Sequence, residues 1–526
     1  MSSASQETPQ NDLDAAISAA SKTQYWLSRF ILLRFLGFIY FMAFLCAVKQ
    51  IVPLIGHNGL LPADDFLHRA GAHFGDNLNG FFELPSLFWF GISDGALLTV
   101  SWIGLVLSVI VMCGYANSLI MLALWGLYMS LMNVGQLWYG YGWEMQLLET
   151  GFLGVFLSPL LDPRPFPRHA PPVVVFWLYR WLIFRIMLGA GLIKIRGDAC
   201  WRDLTCLYYH YETQPIPNPV SWWLHFRPHW FQQFGVLWNH FVELIVPWFG
   251  FYPRKARHVA GVLMAGFQGV LIISGNLSFL NWLTIVPCLA CFDDTFWARF
   301  LPRPLVVRAK AAGDAAASRT PSPAAEFAAV ALAFVVAILS IEPVMNLISP
   351  GQVMNTSFNR LNLVNTYGAF GTVGRERFEI IFEGTLDASP DNATWREYEF
   401  VAKPGDPRRR PPIIAPYQPR IDWQIWFAAM STPQQYPWTL HFTWKLLHND
   451  AGTLSLLANN PFPAEPPRFI RAELYRYRFT PPDKDDGTWW TRERVGTWLP
   501  PLSVDHPEFR RILEAEGWLD PSAKTR

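Results

Sequence analysis

The chain has 526 residues, a formal net charge of +1, 51% hydrophobic and 16% aromatic residues, and only 16% charged ones. So balanced a charge excludes a basic field for nucleic acid, and the aromatic content excludes disorder over most of the length. Soluble domains carry about 25% charged residues, so the shortfall has a location. Residues 350–526 hold 42 of the 83 charges, at ordinary soluble density, while the first 349 residues hold only 41.

Residues 1–28 are polar and Ala/Ser-rich, read as a cytoplasmic tail, and the first span is expected to do the targeting. Apolar segments long enough to cross a hydrocarbon core of about 30 Å then recur at about 30–52, 96–114, 117–139, 144–160, 172–195, 230–251, 257–275, 277–295 and 326–348. Residues 29–349 therefore read as a multi-pass α-helical membrane bundle of about nine spans, flanked by Trp and Tyr residues such as Trp138, Tyr139, Trp143, Trp222 and Trp230. With the N-terminus inside, twelve Lys and Arg fall in inside segments and four in outside loops, as the positive-inside rule requires. Loop 196–229 is then outside and 303–325 is a flexible cytoplasmic linker. Nine spans place residues 350–526 outside the cytoplasm as a globular domain. There, Phe378–Phe382, Glu397–Val401 and Phe469–Phe479 read as strands, and Ile421–Met430, Trp438–Leu447 and Pro507–Leu519 as helices, giving an α+β or β-sandwich-like domain.

Ionisable groups inside spans are costly and point to function by default. The expected intramembrane polar cluster comprises Arg34, Glu149, Arg180, Arg185, Asn239, His240 and Glu243, with Glu149 and Glu243 as counter-ions for Arg180 and Arg185. A structural ion-pair cluster packing the bundle is the alternative. Cys200 and Cys206 lie six apart in the outside loop and are a disulfide candidate if the compartment is oxidising. The same loop carries His210 and Glu212, with His225 and His229 beyond; an ordered lid over the bundle is the default reading for them. A Ser nucleophile elbow, a phosphate-binding Gly loop and an HExxH zinc motif are all absent, so no catalytic residue, no metal and no cofactor is expected. In the second part, Arg420, Asp422, Trp423, Trp426, Tyr475 and Tyr477 interleave charge with aromatic rings, a vocabulary of protein-binding hot spots.

Long runs carry a resemblance: GDACWRDLTCLYYHYETQPIPNP (197–219), NHFVELIVP (239–247), SGNLSFLNWLT (274–284), NTYGAFGTVGRER (365–377), YQPRIDWQ (417–424), NPFP (460–463) and PRFIRAELYRYRFT (467–480). Over nearly the whole chain beyond about residue 25, the sequence resembles the lipase maturation factor family. The resemblance implies a non-enzymatic, multi-pass protein of the endoplasmic reticulum membrane, or of the inner membrane in a bacterium, that helps secreted lipases fold and assemble. Its C-terminal domain would be lumenal or periplasmic and would engage client proteins, and the spans would contact membrane lipids. More remotely, AGLIKI (190–195) with Trp201 is similar to the membrane region of vitamin K-dependent carboxylase. That implies an alternative, a membrane enzyme acting on a lipid or protein substrate, with Lys194, His210 and Glu212 as its catalytic candidates.

Overall fold

The computed structural model describes residues 24–317, 323–484 and 486–519. The tail up to residue 23 and residues 318–322 of the expected linker lie outside the described residues.

The first part is helical. Its long members are α1 (Trp26–Ile55), α2 (Asp94–Met112), α3 (Ser118–Val134), α4 (Gly142–Leu157) and α5 (Val173–Arg196). After α5 and a single turn at Ala199–Arg202 come the short helices α6 (Leu207–Thr213), α7 (Pro219–His225) and α8 (His229–His240). Then come α9 (Arg254–Ser274), α10 (Leu280–Cys288), α11 (Arg303–Ala317), α12 (Pro323–Leu339) and α13 (Ile341–Ile348). Among the described residues, five helices are long and apolar enough to cross a membrane: α1, α2, α5, α9 and the run Glu326–Ile348. Ser118–Val134 and Leu280–Cys291 are shorter apolar helices, and α4 has 16 residues.

Two sequence expectations give way here. Segment 230–251 is not one helix: α8 passes into a π turn at Phe241–Ile245 and then a 3-10 turn, because Pro247 lacks the N–H that would continue the ladder. Within the linker 303–325, residues Arg303–Ala317 are helical. Alanine-rich sequence has high helix propensity, and Gly313 lies against the Trp26 indole.

Hydrogen bonds gather the chain reversals at two ends of the bundle. At one end Asp294 accepts the amides of Trp26 and Leu27, Arg180 donates to the Ala290 carbonyl, Arg257 meets Asp293, and the Ser118 amide donates to Pro159. At the other, Gln136 donates to Leu61, Gln214 to Ser274, and Trp143 to Gln418. Phe184 packs on Trp248 with centroids 4.8 Å apart while Gly191 faces Leu244, so residues 239–251 run antiparallel to α5. Trp181 donates to Ser340 and Gly189 faces Leu347, so the last apolar run is parallel to α5.

The second part is α+β. A two-stranded ribbon, β1 (Thr356–Ser357) with β2 (Asn365–Thr366), precedes a four-stranded antiparallel sheet. The sheet comprises β3 (Arg377–Thr385), β4 (Arg396–Glu397), β5 (Phe469–Phe479) and β6 (Trp490–Leu502) in the order β4-β3-β5-β6. Helices α14 (Arg420–Ala428) and α15 (Trp438–Leu447) pack on one face, and α16 (Pro507–Ala515) is the last helix among the described residues. The sandwich-like expectation is therefore corrected to a single sheet backed by helices, with no second sheet of comparable size among the described residues. The apolar core is continuous: Leu54, Tyr139, Trp423, Trp438 and Ile470 belong to one buried cluster that runs from the bundle into the sheet.

Candidate functional site

Helix α5 carries three buried cations, and each has a different fate. Arg185 pairs with Glu149 of α4, and its Nη1 donates to the Asn365 carbonyl at 2.6 Å. The other Glu149 oxygen accepts from the Asn365 amide nitrogen (3.0 Å), its side chain (3.2 Å) and the Tyr367 hydroxyl (2.7 Å). Lys194 donates to Glu243 at 2.5 Å and to Asn239 at 3.3 Å, while Asn239 donates to the second Glu243 oxygen at 2.8 Å. Arg180 donates to the Ala290 carbonyl (2.9 Å) and the Tyr25 hydroxyl (2.6 Å) and lies 5.0 Å over the Trp177 ring. Arg180 and Arg185 cannot share counter-ions because five residues turn a helix by about 500°, which separates them by about 140° around its axis. The single intramembrane cluster thus resolves into separate stations. His240 points its Nε2 at the Trp201 carbonyl, 3.0 Å away, and Arg34 donates to the Phe30 carbonyl at the far end of the bundle.

Lys194 is engaged on both sides. Its ammonium is a donor held between a carboxylate and an amide, 5.3 Å over the Trp201 ring. Nothing here supports the carboxylase-like enzyme.

The densest polar construction lies where the second part meets the bundle. Segment 362–377 lies along the end of α5. A side chain at Gly189 would meet the Tyr367 carbonyl at 2.5 Å, so only glycine lets this strap lie so close. Arg420, at the start of α14, is fully buried. Its Nη1 donates to Glu144 of α4 at 2.8 Å and to the Trp138 carbonyl at 2.5 Å, with its guanidinium 3.5 Å over the Tyr139 ring. Glu144 also accepts from the Tyr128 hydroxyl. Asn276, between α9 and α10, clasps Pro412, Ile414 and Ala415 through three hydrogen bonds.

The loop after α5 is a pinned lid. Cys200 and Cys206 form a disulfide. Asp198 accepts from Arg375 at 2.8 Å, which holds its carboxyl below the usual range although burial opposes this. Arg377 donates to the carbonyls of Glu212 (3.0 Å), Gln214 (2.5 Å) and Pro215 (2.9 Å). Glu212 accepts the Phe479 amide at 2.6 Å, and burial pushes its carboxyl up. His210 stands edge-on to Phe370; burial, with the charge of Lys194 adding to it, pushes its pKa down to about 4. His225 is likewise lowered to about 4 by burial. These residues fasten the lid, and among the described residues no group of three His, Cys, Asp or Glu could hold a metal ion.

The expected client-contact residues divide. Arg420, Asp422, Trp423 and Tyr477 are interior, a correction to their reading as surface: α14 is wedged between sheet and bundle, where Arg420 reaches the bundle, and Tyr477 of β5 lies in the cluster beneath Trp222 and Phe226. Asp422 accepts the Ala402 and Lys403 amides at 2.6 and 2.9 Å, and burial raises its pKa to about 6. Trp426 and Tyr475 are half-buried. Tyr475 lies at the middle of the outward face of the sheet, 4.7 Å beneath Arg492. Around it Arg471 pairs with Glu383 (2.7 Å), Arg492 with Glu397 (2.5 Å) and Arg494 with Glu473 (2.7 Å). The lower part of this face is covered by Trp222 and Phe226 of the lid; in the upper part Arg494 is half exposed, and Arg471 and Arg492 are partly so. Glu144, Asn365, Tyr367, Arg377 and Arg494 escaped sequence reasoning. An acid at the start of a short apolar helix was the available signal for Glu144; the others gave none until strand pairing placed them.

Residues 27–299 match the lipase maturation factor transmembrane domain and residues 363–500 the lipase maturation factor C-terminal domain. The chain is 52% identical over 520 residues to lipase maturation factor 1 of Bos taurus, covering 94% of this chain and 92% of that protein. It is 50% identical over 515 residues to lipase maturation factor 1 of Homo sapiens, covering 94% and 90%. Lipase maturation factor 2 of Xenopus laevis is 32% identical over 611 residues, covering 94% and 85%. No solved structure matches the chain. Matched along nearly its whole length and in both its parts, the chain belongs to the lipase maturation factor family.

Proposed function

We propose that this protein is a membrane-anchored maturation factor for secreted lipases, acting on its clients outside the cytoplasm through residues 350–526. The observation that carries this reading is the 52% identity with bovine lipase maturation factor 1 across nearly both chains. The orientation rests on the loop charges and on the alternation of chain reversals between the two ends of the bundle. Nine passes and five passes are both odd, so either count leaves the C-terminal region on the far side from the N-terminus. In a eukaryotic cell that side is the lumen of the endoplasmic reticulum, where the Cys200–Cys206 bridge would persist.

The client surface is the open part of the outward sheet face. There Tyr475 and the Arg471, Arg492 and Arg494 guanidiniums present stacked, pre-ordered planar groups, which lose little conformational freedom on binding. The test is secreted lipase activity per unit lipase protein in cells lacking the factor. Wild-type protein restores it. Tyr475→Ala with Arg494→Gln lowers the restored activity several-fold when rescue is normalised to factor abundance, a normalisation needed because Tyr475 is half-buried and Arg494 pairs with the buried Glu473. Rescue undiminished by this pair would remove the client surface from the sheet face. Absence of rescue by well-expressed wild type would remove the lipase assignment.

A further inference from the structure

At the end of the bundle opposite the C-terminal region, Arg29, Arg34 and Arg164 line one shallow pocket with Phe30, Gly114 and Ala116. Arg29 is only 2% exposed. Its Nη1 donates to the His169 carbonyl at 3.1 Å, but its Nη2 is buried and has no hydrogen-bond partner. Arg34 donates to the Phe30 carbonyl of its own helix and lies against the Phe30 ring, 3.1 Å from its centroid. Gly114, at φ +106°, closes the far wall so tightly that any side chain there would collide with the Arg34 guanidinium. Among the described residues neither Arg29 nor Arg34 has a carboxylate within 4 Å, whereas Arg185, Lys194, Arg257 and Arg420 each do. The acids nearby are already engaged. Asp162 binds Arg164 through both oxygens at 2.8 and 2.7 Å, and Asp294 accepts the Trp26 and Leu27 amides.

A buried guanidinium with an unfilled donor, next to a second one without a counter-ion, is an incomplete oxyanion site. It lies at the level where the spans end, beside the apolar side chains of Phe30 and Leu33. Basic pockets between spans at this depth suit the phosphate of an anionic lipid headgroup, whose acyl chains continue along the helices. We propose that this pocket binds a phosphate group, supplied by an anionic membrane phospholipid, through Arg29 and Arg34, with Arg164 at its rim. Arg29 Nη2 fills its missing hydrogen bond, and the lipid ties the start of α1 to the turn that follows α2.

The full-length protein in detergent is titrated with short-chain phosphatidylglycerol, phosphatidylcholine or inorganic phosphate, and both thermal unfolding and bound lipid by native mass spectrometry are followed. Phosphatidylglycerol is expected to raise the unfolding temperature and remain bound as one copy, with phosphatidylcholine weaker. Arg34→Gln is expected to weaken binding about ten-fold, which corresponds to about 1.4 kcal/mol, and Arg34→Lys less. Should Arg29→Gln not fold, Arg34→Gln and Arg164→Gln carry the test, since both side chains sit at or near the pocket mouth. Inorganic phosphate acting as well as the lipid, and losing its effect in Arg34→Gln, upholds the phosphate site but replaces the lipid by the free anion. Equal affinity for phosphatidylcholine, or lipid binding unaltered in Arg34→Gln, overturns the proposal.

Discussion

Replacing Arg420 by methionine tests whether bundle and C-terminal region are locked by a buried charge. Both Arg420 and Glu144 are fully buried, joined at 2.8 Å, and the guanidinium also satisfies the Trp138 carbonyl. Removing one member leaves Glu144 with the Tyr128 hydroxyl as its remaining short contact, and stripping one partner from a buried pair costs about 3–5 kcal/mol. At about 4 kcal/mol, the population in which α14 has left the bundle rises about a thousand-fold. Limited proteolysis of purified protein in detergent reads this as cleavage on either side of α14, around Arg408–Arg410 and Lys445. The double substitution Arg420→Met with Glu144→Leu removes both charges and is expected within about 2 kcal/mol of wild type, since apolar replacement of a whole buried pair is often close to neutral. Cleavage of Arg420→Met at the wild-type rate would refute the lock. So would a double variant more open than either single one, because the two losses would then be independent.

Three further outcomes follow from the same geometry. Lys194→Met alone should lower the amount of folded protein, as the loss of about 3–5 kcal/mol from a buried pair dictates, whereas Lys194→Met with Glu243→Leu should recover both abundance and lipase rescue; an abundant double variant without rescue would give Lys194 a chemical role. Cys200→Ala with Cys206→Ala should cost about 2 kcal/mol, the loop-closure value for so short a ring, and mass spectrometry of the unreduced wild type should find the two residues linked. Stability should fall as pH drops from 6.5 towards 4. His210, held neutral by burial with a pKa of about 4, contributes fully above its unfolded pKa of about 6.5 and loses about 2 kcal/mol by pH 5. His210→Phe keeps the ring contact with Phe370 and should flatten that part of the slope in a thermal-unfolding series, leaving the share of His225 and His441, both also lowered to about 4 by burial.

Hydropathy located the helical segments because an apolar run of span length has few other uses. It over-read 230–251, where aromatic and apolar residues hide a break at Pro247. Strand β5 was legible to the residue, Phe469–Phe479, and α15 likewise, since their patterns are long and unbroken. Strand β6, the longest of the sheet, was missed: Thr491–Val495 alternates weakly and two prolines follow, and an edge strand tolerates both. An acid within a span demands a partner, which is why Glu149 stood out, but which cation of α5 it meets, Arg185, depended on azimuth. Arg420 and Trp423 read as surface because sequence reports residue type and not which side of a helix another layer covers.

The sharp change in charge density at residue 350 separates two solvents, not two mechanical bodies. An apolar part built for lipid and a polar part built for water would ordinarily meet through a small, loosely held interface. Here Glu149 is satisfied by Asn365 and Tyr367, Glu144 by Arg420, and the lid's carbonyls by Arg377. In each case a buried group that its own part satisfies incompletely is completed by the other part. Each half therefore lacks partners for its own buried polar groups, and neither can be released from the other without exposing or stranding them. A client that met the outward sheet face would pull against the whole bundle, which is the mechanical requirement on an anchor that holds a partly folded protein at a membrane.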